Sequence, residues 1–295
     1  MASVTAASMD HRRGLLIASV GGLVMTFDAP LLRLAGVDVF TATFWRGVFV
    51  FTAMCGIWAF LRYVQRTPMP LLNGRDGVIL AVLHCMANLL FMVALFNTTV
   101  ANLVFILALN PLSAALFSLV WLRERIAPAT WAAIFSGIIG VTIIVMDGAQ
   151  VGSLFGDLAA LGAVLVIGFG LTFVRRSGKN LTLAPGPGAL LAACIVLPFT
   201  GSIAVPLDQL MFIAANGLIV MPFASAMLVT GPRYLTAAEV AMFFLLETVL
   251  APIWVWLFLG EVPSTNSLIG GAIILITLGC HAAYRLSRRA PEHQH

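Results

Sequence analysis

Long apolar runs recur ten times along the chain, each closed by a group of charges, a Pro/Gly turn or a short polar loop. A bilayer's hydrocarbon core, about 30 Å thick, is crossed by roughly 20 apolar residues in helical form. At that length the punctuation predicts spans at 14–33, 39–61, 76–96, 100–122, 129–146, 156–174, 186–204, 209–230, 236–259 and 267–284. A membrane β-barrel would show alternating segments of about ten residues, whereas a run such as Leu71 to Phe96 is apolar at odd and even positions alike. The predicted class is therefore an all-α membrane protein.

Composition agrees. Hydrophobic residues make up 61% of the 295 and charged residues only 9%, against about 45–50% and 25% in a soluble domain. The four cysteines, Cys55, Cys85, Cys194 and Cys280, stand singly, without metal-ligand or redox spacing. A disulfide-stapled or disordered chain is thereby excluded.

Charge orients the helices. With ten spans, 14 of the 16 Arg and Lys residues fall in the segments on one side, among them Arg12, Arg13, Arg62, Arg66, Arg175, Arg176 and Arg285. The other side holds only Arg33, and Arg46 lies within a span. The positive-inside rule then places both termini in the cytoplasm, as expected of a bacterial inner-membrane protein. Arg12 and Arg13 before an apolar run resemble a signal peptide, but no small-x-small cleavage site closes the run, so an uncleaved first helix is expected. The basic pI, about 9.2, reflects loops facing anionic lipid; no basic stripe with interleaved aromatics indicates nucleic acid.

The chain also repeats. A slide of 137 residues lays Thr99 on Thr236, Asn102 on Glu239, Asn110 on Glu247 and Glu124 on Glu261. A slide of 142 lays Gly14 on Gly156, Phe27 on Phe169, Arg33 on Arg175, Gly36 on Gly178 and Asp38 on Asn180. The implied organisation is a short segment 1–13, five-helix repeats at 14–148 and 149–284, and a tail at 285–295. Because five is odd, the second repeat enters from the opposite face, and inverted repeats of this kind enclose the midplane site of secondary transporters that work by alternating access.

The stretch from Ala94-Leu95-Phe96-Asn97 through Asn110-Pro111-Leu112 to Trp121-Leu122-Arg123-Glu124-Arg125, then Gly137 and Gly140, recurs as Thr236 through Pro252 to Leu259-Gly260-Glu261, then Gly271 and Gly279. It resembles the drug/metabolite transporter superfamily, in particular its ten-helix EamA-type exporters, and among those the amino-acid exporters of the aromatic type. The likeness covers both repeats. One departure is that Pro252 stands four places beyond the position matching Pro111, which leaves the symmetry of the helix break open.

Ionisable groups within the bilayer are costly and mark candidate sites. At 1.5 Å per residue, Glu247 lies about 17 Å into span nine, and Asn110 is equally deep in span four. Glu247 is the first candidate, as an amine ligand or coupling group, against a reading as hydrogen-bonded glue between helices. Phe243, Ala251 and Trp254 share its face at helical spacing, forming an aromatic wall or simple packing. His84 and Asn88 share a face of span three with Phe91 above them. Arg46, about 12 Å into span two, and Asp28, about 21 Å into span one, count from opposite faces and can meet a third of the way in from the periplasmic side. They form either a structural ion pair or a carboxylate-binding site, in which Asp28 is also a candidate for coupling. Asn102 and Glu239 lie near helix ends and are expected to be wetted, as is the loop residue Glu261. Pro111 and Pro252 are expected to act as flexing points, and spans five and ten to brace the bundle outside the cavity.

Other classes fit less well. The chain has no HExxH, GxSG with a partner histidine or GxGD, leaving His84 alone for an acyltransferase. A channel or scaffold gives no reason for the repeat. No GxxxxGK[ST] loop exists for nucleotide hydrolysis. The expectation is a monomeric transporter without cofactor or metal. Its substrate is a small zwitterion or amphiphilic metabolite, with quaternary-ammonium drugs as the alternative because a carboxylate and aromatic rings together hold cations.

Overall fold

The computed structural model describes residues 2–66, 69–123, 128–151 and 153–289; Glu124 and Arg125 lie outside them. Helices dominate, and no strand occurs among the described residues. Among the described residues, eight helical segments are long and apolar enough to cross a membrane: α1 (Arg12–Ala35), α2 (Val39–Val64), α3 (Gly74–Asn97), α4 (Val100–Leu122), α5 (Pro128–Met146), α6 (Leu154–Ser177), α8 (Leu207–Arg233) and α9 (Glu239–Leu259). Two shorter apolar helices, α7 (Pro185–Phe199) and α10 (Thr265–His281), complete the ten. Helix α7 closes in a 3₁₀ turn at Leu197–Phe199, short of the expected residue 204, since Pro198 cannot donate and extended chain follows to Pro206.

Three spans are interrupted. Helix α1 turns at Thr26–Phe27 before resuming at Asp28, α4 at Ala108–Leu109 before Asn110, and α9 at Met242–Phe243 before Phe244. Pro111 is the second residue of its resumed helix, where a missing N–H costs nothing. Pro252 lies inside the continuous stretch Phe244–Leu259, so the break in α9 falls before it rather than at it.

The chain is built as two inverted five-helix repeats, and the packing shows how they interlock. Extensive contacts join α3 to α6, α5 to α10, α2 to α7 and α1 to α8, and α4 packs on α9. Every one of these pairs takes one helix from each repeat. Exchanging the repeats turns α3–α6 into α8–α1 and leaves the other three pairs unchanged, as a two-fold axis running between them requires. Close approach is secured by small residues: a Cβ on Gly47 of α2 would fall 2.4 Å from the Ala189 carbonyl of α7, and one on Gly140 of α5 would fall 2.8 Å from the Gly270 carbonyl of α10.

Local geometry repeats at the offsets found in the sequence. Gly36 and Gly178 both end helices in the left-handed region, at φ 64° and 62°. So do Arg123 and Gly260, at 55° and 68°, although a non-glycine residue pays about 1–2 kcal/mol for that conformation. Thr99 accepts the Asn102 N–H through its hydroxyl at 3.1 Å, and Thr236 accepts the Glu239 N–H at 3.1 Å. Glu239 completes a capping box by accepting the Thr236 N–H at 2.8 Å. It is therefore engaged in a helix cap rather than simply wetted.

Candidate functional site

A cavity of about 120 Å³ lies between α1, α2, α3, α6, α8 and α9. Its walls use matching positions of the two repeats: Met25 and Ile167, Asp28 and Gly170, His84 and Met221, Asn88 and Ser225, Phe91 and Leu228 all line it. The strongly polar side chains come only from the first repeat. Where it supplies Asp28, His84 and Asn88, the second supplies Gly170, Met221 and Ser225. Two-fold symmetry thus makes the space, and sequence divergence makes it one-sided. The lining of α6 and α8 comes from their later turns, whereas Asp28 lies two-thirds of the way along α1 and Arg46 near the start of α2, so the cavity runs from a charged head on the side away from the termini toward the face bearing them. Neither α5 nor α10 contributes a lining residue.

The charged head of the cavity is a four-residue network. Asp28, just after the break in α1, and Arg46 of α2 are both fully buried. Arg46 Nη2 donates to Asp28 Oδ1 and Oδ2, each at 2.8 Å. Its Nη1 donates to Asn88 Oδ1 at 2.5 Å and its Nε to Asn216 Oδ1 at 3.1 Å. Asn216 returns a bond through Nδ2 to Asp28 Oδ1 at 2.7 Å and to the Asp28 carbonyl at 3.1 Å. The Phe91 ring lies 5.2 Å from the guanidinium carbon, within cation–π range. A buried ion pair is tolerated when hydrogen bonds satisfy its remaining donors and acceptors, and this network does so on every side but the cavity.

Of the residues singled out in the sequence, the structure brings together Asp28, Arg46, His84 and Asn88. Glu247 and Asn110 are buried in the resumed segments of α9 and α4 and are not on the cavity wall. Asn110 makes no side-chain hydrogen bond among the described residues, and neither does Glu247 Oε1. Phe243 and Trp254 pack on α1: a Cβ on Gly22 would fall 2.7 Å from the Phe243 carbonyl, while Trp254 stacks on Phe27 at 5.4 Å and donates to Thr26 Oγ1 at 3.4 Å. The aromatic residue of α9 that does reach the cavity is Phe244.

Two groups of residues went unread in the sequence. One is Asn216, whose signal was an amide inside an otherwise apolar stretch of α8, the same signal that marked Asn88. The other is a buried polar knot at the face opposite the termini. There Asp157 accepts from the Thr98 hydroxyl at 2.6 Å and the Asn102 amide at 3.4 Å, and Asn102 in turn accepts from the Ser267 hydroxyl. Asn102 is thus buried, not wetted, because α6 and α10 cover the end of α4. Glu261 is likewise engaged, accepting the Val100 N–H at 2.9 Å.

Comparison with known proteins places this architecture. The EamA-like transporter family matches twice, over residues 12–146 and 154–280, and the chain belongs to that family. Among 21 solved chains that match, one crystal structure aligns with a TM-score of 0.71 over 93% of this chain and 98% of its own, at 18% identity; that likeness shows the fold. No curated protein matches the chain.

Proposed function

We propose that this member of the family is a secondary transporter that exports amino acids of aromatic or otherwise amphiphilic character, or related small metabolites, by alternating access. The observation that carries the reading is the pairing of Asp28 with Arg46 at the head of a largely apolar cavity. A zwitterion carries the same two charges at similar spacing. Its ammonium group meets Asp28 Oδ2, which among the described residues accepts only from Arg46, and its carboxylate meets the guanidinium N–H that the four bonds of Arg46 leave unused. The apolar body lies along Leu80, Leu83, Ile167, Leu171 and Leu228.

Exchange of the internal pair for a zwitterion keeps every buried charge matched, so binding avoids most of the penalty of stripping water from ions. A cationic drug would satisfy Asp28 and leave Arg46 both unpaired and repelled. The excess of basic residues in one set of segments supports cytoplasmic termini, and on that reading the cavity, which extends toward their face, loads from the cytoplasm of a bacterial cell. We further propose that it works as a monomer, without cofactor, metal or nucleotide hydrolysis.

Counterflow of labelled amino acids into proteoliposomes tests the proposal, with a quaternary ammonium compound and a lipid-turnover assay in parallel. Saturable amino-acid counterflow is expected. Flux of the cation with none of the amino acids, or lipid turnover without flux, would overturn it.

A further inference from the structure

Arg46 meets Asp28 in an unusual way for an arginine. The common geometry is a fork, two nitrogens giving parallel bonds to two oxygens, yet here a single nitrogen, Nη2, serves both Asp28 oxygens at 2.8 Å. The other two nitrogens are taken, Nη1 by Asn88 and Nε by Asn216. Asn216 is doubly placed to block the fork on the Nε side, because it holds Nε with its carbonyl oxygen and Asp28 Oδ1 with its amide at 2.7 Å.

The backbone is shaped to deliver it. Asn216 begins a π-helical turn, Asn216–Val220, inserted in α8, and such single turns recur at functional sites. The next residue is Gly217, where a Cβ would fall 2.6 Å from Phe49 Cβ and 3.1 Å from the Arg46 carbonyl. Only a glycine brings α8 this close to α2. The matching position of the first repeat is Ile79, which is exposed, so this feature belongs to the second repeat alone.

We propose that Asn216 is a positioning residue for substrate: by occupying Arg46 Nε and Asp28 Oδ1 it keeps the ion pair from closing into a fork and leaves Asp28 Oδ2 and a guanidinium N–H available to a zwitterion. The inference rests on the transport reading above. Without Asn216 the Nε and Nη2 groups swing onto the two Asp28 oxygens, and the substrate must then open a tighter pair.

The test is Asn216→Ala, with Asn216→Ser as the companion should the alanine protein not fold. For a transported amino acid the apparent KM is expected to rise tenfold or more while the maximal rate stays within twofold. The preference for the amino acid over its methyl ester, which lacks the carboxylate, is expected to collapse toward one. An unchanged preference in folded protein overturns the proposal, since loss of packing alone would lower the rate or the yield without altering the ratio. Side-chain ¹⁵N spectra of Arg46, assigned with Arg46→Lys, separate this failure from that of the transport reading, because they need no substrate. The Nε–H resonance is expected to move in Asn216→Ala, and a resonance that stays in place overturns the proposal. Absence of amino-acid flux in the parent would instead overturn the transport reading.

Discussion

Arg33 and Arg175 make the same bond at opposite ends of the molecule. Arg33, near the end of α1, donates to the Thr98 carbonyl at 2.7 Å, and Arg175, near the end of α6, donates to the Leu235 carbonyl at 2.9 Å. Each carbonyl belongs to the residue before a capping threonine, Thr99 or Thr236. The arginines correspond at the offset of 142 and the carbonyls at 137, so each repeat straps its first helix to the start of its fourth. One strap lies at each face.

The straps are therefore expected to act locally. Arg33→Gln should speed amide exchange about tenfold at 98–103 and leave 235–240 unchanged, and Arg175→Gln should do the reverse, as fits a hydrogen bond to a charged group worth about 1.5–3 kcal/mol. Hydrogen-exchange mass spectrometry reads both segments in one experiment. Equal effects at both faces would show that the straps are not independent.

The buried pair should separate stability from transport. Asp28→Asn leaves Arg46 charged and unpaired, which costs about 3–5 kcal/mol, so a marked fall in Tm and loss of transport are expected together. Adding Arg46→Gln removes the stranded charge and should recover most of the Tm without recovering transport. Recovery of transport by the double variant would exclude the pair from substrate binding.

Glu247→Gln keeps size and shape at a site that is 1% exposed while removing the ionisable group. Folding should be retained, and because Glu247 does not touch the cavity a fall in transport of tenfold or more, equivalent to about 1.4 kcal/mol, is expected through its candidate role in coupling rather than through substrate contact. Asp208→Asn, on the exposed first turn of α8, is the control expected to change nothing. Glu261 does not serve as one, because it holds the Val100 N–H. Equal transport by Glu247→Gln and parent from pH 5 to 8 at matched expression would assign Glu247 to packing.

Topology is checked by reporter fusions after Arg66 and after Gly148, separated by α3, α4 and α5. Opposite compartments are expected, the first cytoplasmic. A shared compartment would contradict ten spans.

By itself the sequence determined the number of helices, because crossing hydrocarbon demands about 20 apolar residues whatever surrounds them. It also determined the repeat, since Arg33 and Arg175, or Thr99 and Thr236, keep their types where their local bonds are kept. Depth followed as well: Asp28 and Arg46 were placed level with each other by helical rise alone. Direction around each helix was decided by the tertiary structure. One residue turns a side chain by about 100°, and the break at Met242–Phe243, with its i→i+3 bonds from Leu245 to Met242 and Leu246 to Phe243, shifts the phase of α9. Periodicity carried across that break therefore grouped Phe243 with Glu247, whereas Phe244 reaches the cavity. Neighbours were beyond the sequence for a related reason. In spans apolar on every side, only contacts such as Gly47 on Ala189 and Gly217 on Phe49 select which helices meet, and that choice brought Asn216 to the ion pair.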